Sequence, residues 1–194
     1  MRVNTIAMLT ENRPGVLARV CHLFSRRGFN LLSVCAERTD RFEVYCITVV
    51  VRCDNEATVE QIRKQLRKLI DVEEVTILSS APYVERQVAL VKVTAESGNR
   101  ERLVEEAKLF GASVADVGPK SITFEITSDE FRIDSFLKML ESQKIVEVVR
   151  SGKVGLFKGE RPCFNGRVAP PPPVPAAGGR LAPSEGLAGP SRLG

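Results

Sequence analysis

Residues 3–28 read VNTIAMLTENRPGVLARVCHLFSRRG and decide the fold. The apolar-rich run Val3–Thr10 is typical of a strand. From Pro14 to Arg27 apolar residues recur at three- and four-residue spacing, which predicts an amphipathic helix that Gly28 ends. The apolar stripe of this helix consists of Val16, Val20, Leu23 and Phe24. A strand followed directly by a helix therefore opens the chain.

The same reading continues to residue 78. Asp54 or Asn55 can cap a second helix that reaches Ile70, with a stripe of apolar residues along one side. The stripe is Val59, Ile62, Leu66 and Leu69, and the predicted strands around the helix are Asn30–Glu37, Phe42–Val51 and Glu74–Leu78. The resulting order is βαββαβ.

This order recurs in the second half of the chain. The predicted strands are 87–94, 113–117, 121–126 and 145–150, and the predicted helices are 100–110 and 130–142. Two tandem βαββαβ units predict an α+β fold with two ferredoxin-like sandwiches, each an antiparallel sheet with two helices on one face. We call residues 1–80 the first module and residues 84–159 the second module, joined by a short linker at Ala81-Pro82-Tyr83.

Some strands are apolar on both faces. A sheet with helices on one face should alternate apolar and polar residues. Residues 44–51 read VYCITVVV and are apolar on both faces, and residues 88–91 are nearly so. We therefore expect another module to cover the second face or an edge, and we infer association, most simply a homodimer.

The composition changes sharply at Glu160. Eight of the eleven prolines lie from there onward, four of them at Pro170–Pro173. Such a stretch buries too little apolar surface to offset its ordering entropy. We expect residues 160–194 to form a disordered tail.

Charge and cysteine content narrow the class of protein. The net charge is +4, and the four arginines and two glutamates of the tail supply +2 of it, so the modules are nearly balanced. This balance gives no electrostatic reason to expect nucleic-acid binding. No signal peptide and no apolar stretch of about 18 residues occurs, so we expect no membrane association. The five cysteines form no C-x-x-C pair, which favours reduced thiols and a cytoplasmic protein.

Residues for catalysis are nearly absent. The only histidine, His22, falls on the first helix without a cysteine or carboxylate at metal-ligand spacing. The common nucleophile, phosphate-loop, dinucleotide and zinc-protease motifs do not occur. We predict no catalytic residues and no metal ligands, and hence a chain that is not itself an enzyme.

The loop between the first strand and the first helix, Glu11–Leu17, is the informative segment. Asn12 can cap the helix, and Pro14 suits its first turn. Gly15 is unusual there because glycine costs about 1 kcal/mol relative to alanine in a helix, but it permits a ligand to approach the backbone. Exposed N–H groups at a helix start suit the carboxylate of an amino acid. The residues alone fit either such a site or simply a well-formed helix start.

Two blocks at this spacing, ENRPGVLARV (residues 11–20) and LFSRRGFNL (residues 23–31), resemble the acetolactate synthase small regulatory subunit, which begins with an ACT domain. The resemblance continues through residues 60–72, 84–93 and 148–156 and covers nearly all of residues 2–159. It departs from the family pattern at residues 35–40 and 43–48, and His22 stands where a glycine is common. These departures flank the expected pocket.

The resemblance implies an effector site between two ACT domains of a homodimer, for valine or another branched-chain amino acid. Asn12 and Asn30 would bind the polar ends of the effector, and Gly15 would admit its carboxylate to the backbone amides. Val16 and Leu31 would face its aliphatic side chain. The expected effector-binding residues are Asn12, Pro14, Gly15, Val16, Asn30, Leu31 and Leu32.

The resemblance also implies a partner. The family's small subunit binds the large catalytic subunit, raises its activity and makes it sensitive to feedback. That catalytic subunit carries thiamine diphosphate, Mg²⁺ and FAD and converts two pyruvate molecules to 2-acetolactate and CO₂, whereas the small subunit carries no cofactor. A basic face on the second helix, Arg63, Lys64, Arg67 and Lys68, could meet an acidic patch of that partner or simply be solvated.

Three other readings compete. An RNA-recognition motif shares the βαββαβ order but needs stacked aromatics on its central strands, and Phe42, Tyr45 and Phe124 are scattered. An acylphosphatase-like hydrolase would need a glycine-rich phosphate loop beside an arginine, for which Gly15 and Arg13 are a minimal version. A free-standing ACT-domain sensor that acts on another enzyme is the nearest alternative.

Overall fold

The computed structural model describes residues 2–53, 55–96 and 98–165. The first module contains strands β1 (Arg2–Glu11), β2 (Leu31–Arg38), β3 (Val44–Cys53) and β4 (Val72–Ile77), with helices α1 (Val16–Arg26) and α2 (Glu56–Leu66). After a short 3₁₀ turn, Leu78–Ser80, the second module contains β5 (Tyr83–Thr94), α3 (Arg100–Leu109), β6 (Ser113–Gly118), β7 (Ser121–Ser128), α4 (Glu130–Leu140) and β8 (Ile145–Arg150). A further strand, β9 (Val154–Phe157), follows.

Both modules have the predicted ferredoxin-like topology. The strand orders are β2-β3-β1-β4 and β6-β7-β5-β8, with antiparallel neighbours throughout. Each core lies between the sheet and its two helices, because the apolar stripes of the helices pack on alternate residues of the strands. The predicted stripe of α1 is confirmed: Val16, Val20 and Phe24 are buried, and Leu23 is half-buried.

The two helix boundaries of the first module differ from the predicted ones. Helix α1 begins at Val16 rather than at Pro14, and its N-cap is Gly15 rather than Asn12. Helix α2 is capped by Asn55, whose Oδ1 accepts a hydrogen bond from the Thr58 amide at 2.8 Å. That helix ends at Leu66 instead of reaching Ile70, because the following residues tighten into hydrogen bonds of the i to i+3 type.

The second face of the first sheet is covered by the chain's own C-terminal segment. Strand β9 pairs with the beginning of β5, and Phe157 packs with Leu78 and Ala7 on the face away from the helices. Cys163 and Phe164 pack against the same cluster. The expectation that another module covers this face therefore holds within one chain, and the apolar pattern of β3 no longer requires a second copy.

Part of the segment predicted as a tail belongs to this cover. The Thr76 hydroxyl donates to the Cys163 carbonyl oxygen at 2.6 Å, and Asn165 Nδ2 donates to Glu74 Oε1 at 3.0 Å. Residues 163 and 165 thus contact β4, so the prediction of a disordered tail is wrong for this part of the segment. The rest of the prediction, residues 166–194, lies outside the described residues.

The modules also meet directly at Ser151–Lys153. A Cβ atom on Gly152 would lie 2.6 Å from the Val34 carbonyl oxygen, so only glycine fits against β2 there. The Lys153 amide donates to Ser33 Oγ at 3.1 Å, and its buried Nζ lies 3.2 Å from Glu85 Oε1 and 2.7 Å from Glu130 Oε2. Burial opposes a charge on Lys153, but the hydrogen bonds to these two carboxylates outweigh it and raise the pKa of the amine.

Candidate functional site

The start of α1 is an open, uncapped helix terminus. Gly15 occupies the N-cap position with φ of 86°, a left-handed conformation that favours glycine, and no side chain caps the helix. The first N–H groups of a helix have no intrahelical carbonyl to bond. Backbone amides and the positive end of the helix dipole are therefore presented beside an exposed glycine, an arrangement suited to a carboxylate.

Asn12 fixes the loop to the neighbouring hairpin. Its amide N–H donates to the Glu43 carbonyl oxygen at 2.8 Å, and its Nδ2 donates to the Phe42 carbonyl oxygen at 2.9 Å. Within the described residues its Oδ1 accepts no hydrogen bond and can accept one from a ligand's ammonium group. Asn12 therefore holds the β2–β3 hairpin turn instead of capping the helix.

Arg19, one turn into α1, holds the helix start to the sheet. Its Nε and Nη2 donate to the two carboxylate oxygens of Asp71 at 2.7 and 2.9 Å. The hydrogen bonds from Arg19 hold the pKa of Asp71 below its usual value. The Asp71 carbonyl oxygen accepts from the Glu11 amide at 2.8 Å, so one residue fixes both the loop and the helix.

A cavity of about 350 Å³ adjoins this loop. Asn12, Arg13, Phe42 and Glu73 are among the residues that line it. The Phe42 ring is 72% exposed and lies under the Arg38 guanidinium, 5.1 Å from the ring centroid. The hairpin in which the sequence departs from the family pattern is thus a wall of the space beside the helix start.

One chain does not bring the predicted site residues together. Leu31 pairs with Val51, which pairs with Asn4, whereas Glu11 pairs with Val44 at the other end of the sheet. Seven strand residues at about 3.3 Å each separate Asn4 from Glu11, or roughly 23 Å. The Asn12–Val16 group and the Asn30–Leu32 group consequently lie at opposite ends of the module.

The members of these groups differ in what they expose. Pro14, Gly15 and Asn30 are exposed, and Leu32 is 44% exposed. The Leu31 side chain is half-buried in the core of the first module. The Val16 side chain is 2% exposed and packs in the core, and its amide donates to the Arg13 carbonyl oxygen at 3.3 Å.

The corresponding loop in the second module is tied down by an arginine, although helix α3 likewise has no side-chain cap. The Arg100 guanidinium at the start of α3 donates to the Gly118 carbonyl oxygen at 2.7 Å and to the Ala95 and Pro119 carbonyl oxygens. It ties the loop before α3 to the β6–β7 turn. Both helix starts therefore lack a side-chain cap, and they differ in the N-cap residue: Gly15 before α1 is left-handed, whereas Asn99 before α3 has a right-handed helical backbone.

The described part of the chain contains no centre for metal chemistry. No group of three or more His, Cys, Asp and Glu side chains that could hold a metal ion occurs in residues 2–53, 55–96 and 98–165. Burial raises the pKa of the Cys35 and Cys46 thiols to about 11, so both are protonated at neutral pH. Within the same residues no helix is long and apolar enough to cross a membrane.

Sequence reasoning missed Arg19, Asp71 and Phe42 as residues that shape the site. Arg19 follows Gly15 by one helical turn, which was the available signal that it lies beside the helix start. The position of Asp71, 52 residues further on, follows only from the sheet topology. Phe42 was considered only as a scattered aromatic residue.

The paired modules and the open helix start define an ACT-type regulatory protein. A family model described as the AHAS small subunit-like ACT domain matches residues 6–74, and one described as the small subunit of acetolactate synthase matches residues 86–159. The chain is 41% identical over 160 residues to the acetolactate synthase small subunit of Mycobacterium bovis, a match that covers 82% of this chain and 95% of that protein.

Two further comparisons agree. A probable acetolactate synthase small subunit of Archaeoglobus fulgidus is 40% identical over 158 residues, which covers 81% of this chain and 98% of that protein. The crystal structure of the acetolactate synthase small subunit from Thermotoga maritima superposes with a TM-score of 0.75 at 30% identity, covering 83% of this chain and all of that one. The chain belongs to the acetolactate synthase small-subunit family, the regulatory ACT-domain subunits of that enzyme.

Proposed function

We propose that this chain regulates the large catalytic subunit of acetolactate synthase in the cytoplasm. It activates the condensation of two pyruvate molecules to 2-acetolactate and CO₂, and it confers feedback inhibition by valine or another branched-chain amino acid. Thiamine diphosphate, Mg²⁺ and FAD belong to the catalytic partner.

The observation that carries the effector site is the open start of α1. An amino acid's carboxylate fits the exposed amides after Gly15, and its ammonium group fits the free Oδ1 of Asn12. The aliphatic side chain of the effector then needs an apolar contact on the protein. The partly exposed Leu31 and Leu32 provide one, but they lie at the opposite end of the same module.

A second copy of the chain resolves this separation. A loop from one chain and the start of β2 from the other can approach each other across a two-fold axis, and the same axis generates two equal sites. The effector would then contact both chains. The roughly 23 Å between the two groups in one chain therefore supports a homodimer through the ACT domains.

Regulation then works by a shift in the populations of two arrangements of the dimer. An effector that binds across the dimer interface favours one arrangement of the two ACT domains over another. If the catalytic subunit fits one arrangement better, effector and catalytic subunit influence each other's affinity by the same factor. The contact of Ser151–Lys153 with β2 offers a route by which the first module can move the second.

Calorimetric titration with valine, leucine and isoleucine tests the effector site. We expect saturable binding of at least one of them to the full chain, and binding at least 10-fold weaker in Asn12→Ala, since about 1.4 kcal/mol is the loss of one good polar contact. The matched control is Asn99→Ala at the N-cap of α3 in the second module, which should bind like the wild type. Equal binding by wild type and Asn12→Ala, or no binding of any of the three, would contradict the site.

A second assay tests the partner. Acetolactate formation by the catalytic subunit should rise when this chain is added and fall again with the effector that the titration identifies. An effector that binds without any change in acetolactate formation would favour an ACT-domain sensor acting on another enzyme.

A further inference from the structure

A groove between α1 and α2 concentrates positive charge on the helical side of the first module. Its volume is about 780 Å³, and it is remote from the sheet face that β9 covers. We call it the basic groove and define it by Arg19, Arg26, Arg27, Lys68, Leu23 and Leu69. His22 also lines it, whereas no carboxylate does.

Most of these cations are not used by the fold. Arg19 is paired with Asp71, but Arg26, Arg27 and Lys68 are exposed and form no ion pair with any described residue. A helix C-terminus favours one or two cations, each by about 0.3–1 kcal/mol, which accounts for Arg26. It does not account for three unpaired cations in one groove, because like charges repel one another.

The groove also has an apolar component. Half-buried Leu23 and Leu69 form part of its lining, and the next residue, Ile70, is 95% exposed. A free phosphate or a phosphate backbone would use the charges but leave these side chains in water. A protein segment with carboxylates and a few aliphatic side chains would use both, since interfaces combine an apolar centre with charged surroundings.

We propose that the basic groove binds an acidic, partly apolar segment of the catalytic subunit, with Ile70 as an apolar anchor. The inference rests on the proposed function, because that function supplies the partner. It differs from the expectation based on the second helix alone. Arg63 is paired with Glu60 at 2.8 Å, and of the four basic residues considered there only Lys68 lines the groove.

Binding of the full chain to the purified catalytic subunit, measured by biolayer interferometry, tests the proposal. We expect the affinity of the double variant Arg26→Glu/Lys68→Glu to fall at least 10-fold. We expect the wild-type affinity to fall with rising salt and that of the variant to change less. The matched control is Lys138→Glu/Lys144→Glu, two exposed lysines of the second module, and it should bind within 2-fold of the wild type.

A second variant separates the apolar contact from charge. Ile70→Ser leaves every charge in place and alters a side chain that the fold does not bury, so it should weaken binding without lowering the melting temperature. Equal affinity of the wild type, the groove variant and Ile70→Ser would overturn the basic groove as the binding site and leave the proposed function intact. A wild-type chain that does not bind the catalytic subunit would overturn both.

Discussion

Both modules place a helix directly after their first strand and leave it without a side-chain cap, but the loops before the two helices differ. Before α1, Gly15 adopts a left-handed conformation and no side chain caps the amides. Before α3, the Arg100 guanidinium donates to three carbonyl oxygens and ties the loop to a neighbouring turn. One topology thus has a loop with a left-handed glycine before the helix in the first module and a loop fixed by an arginine in the second.

The sheet faces away from the helices differ as well. Ala7 and Leu9 of β1 are 2% and 0% exposed, whereas Val88 and Leu90 of β5 are 38% and 41% exposed. The first face is covered by β9 and residues 160–165. The outer face of the second sheet also carries charged residues, because Lys92 lies opposite Glu147 there. The second module therefore covers the first sheet, whereas its own outer sheet face stays partly exposed.

Truncating the side chain of β9 that packs against the first sheet should give the largest loss of stability. Phe157 is 7% exposed against the first sheet, so Phe157→Ala should lower the free energy of unfolding by about 3 kcal/mol. Its neighbour Leu156 is 67% exposed, and Leu156→Ala should cost no more than about 0.5 kcal/mol. Urea denaturation measures both changes, and similar losses in the two variants would show that β9 does not cover the first module.

A substitution at the contact between the two modules should give the next largest loss of stability. A Cβ atom in Gly152→Ala would lie 2.6 Å from the Val34 carbonyl oxygen and 2.8 Å from Cys35 Cβ, neither of which can move easily. We expect a loss of about 2 kcal/mol in unfolding free energy. Gly98→Ala is the control, because a Cβ there meets nothing within 4 Å. Equal stability of the two variants would argue against the close approach of residue 152 to β2.

Loss of the ion pair between Arg19 and Asp71 should cause a smaller, pH-dependent loss of stability. The pKa of Asp71 is lower in the folded chain than in the unfolded chain, where it is about 4. The ionised carboxylate therefore stabilises the fold above that value, and the contribution is lost as the pH falls through the lowered pKa. Asp71→Asn should be less stable near pH 6 and should flatten the acid limb of the stability curve. Exposed Asp40→Asn should retain the wild-type slope.

The sequence predicted the elements that depend on local pattern. Helix stripes at three- and four-residue spacing identified all four helices, and the repeated order identified both sheets. Strand β9 was missed because it is four residues long and pairs with residues some seventy positions earlier. The cover that it forms explains why β3 is apolar on both faces, a pattern that had suggested a second copy.

The site was predictable only in part, for a similar reason. The glycine and the uncapped helix start lie close together in the chain, but Asn12 turned out to hold the hairpin at Phe42 and Glu43. The Arg19–Asp71 pair joins residues 52 positions apart, so no local pattern contains it. The separation of the two groups of predicted ligand residues follows from strand register, which becomes known only with the sheet.

A mixing experiment tests most directly whether two chains complete the effector site. Asn12→Ala and Asn30→Ala homodimers each carry a defect in both sites, and a mixed dimer has one intact site and one with both defects. After equal amounts re-equilibrate, about a quarter of all sites should bind the branched-chain effector with wild-type affinity in calorimetry. Binding that stays absent after mixing, although each variant is folded and dimeric, would contradict a site shared between chains.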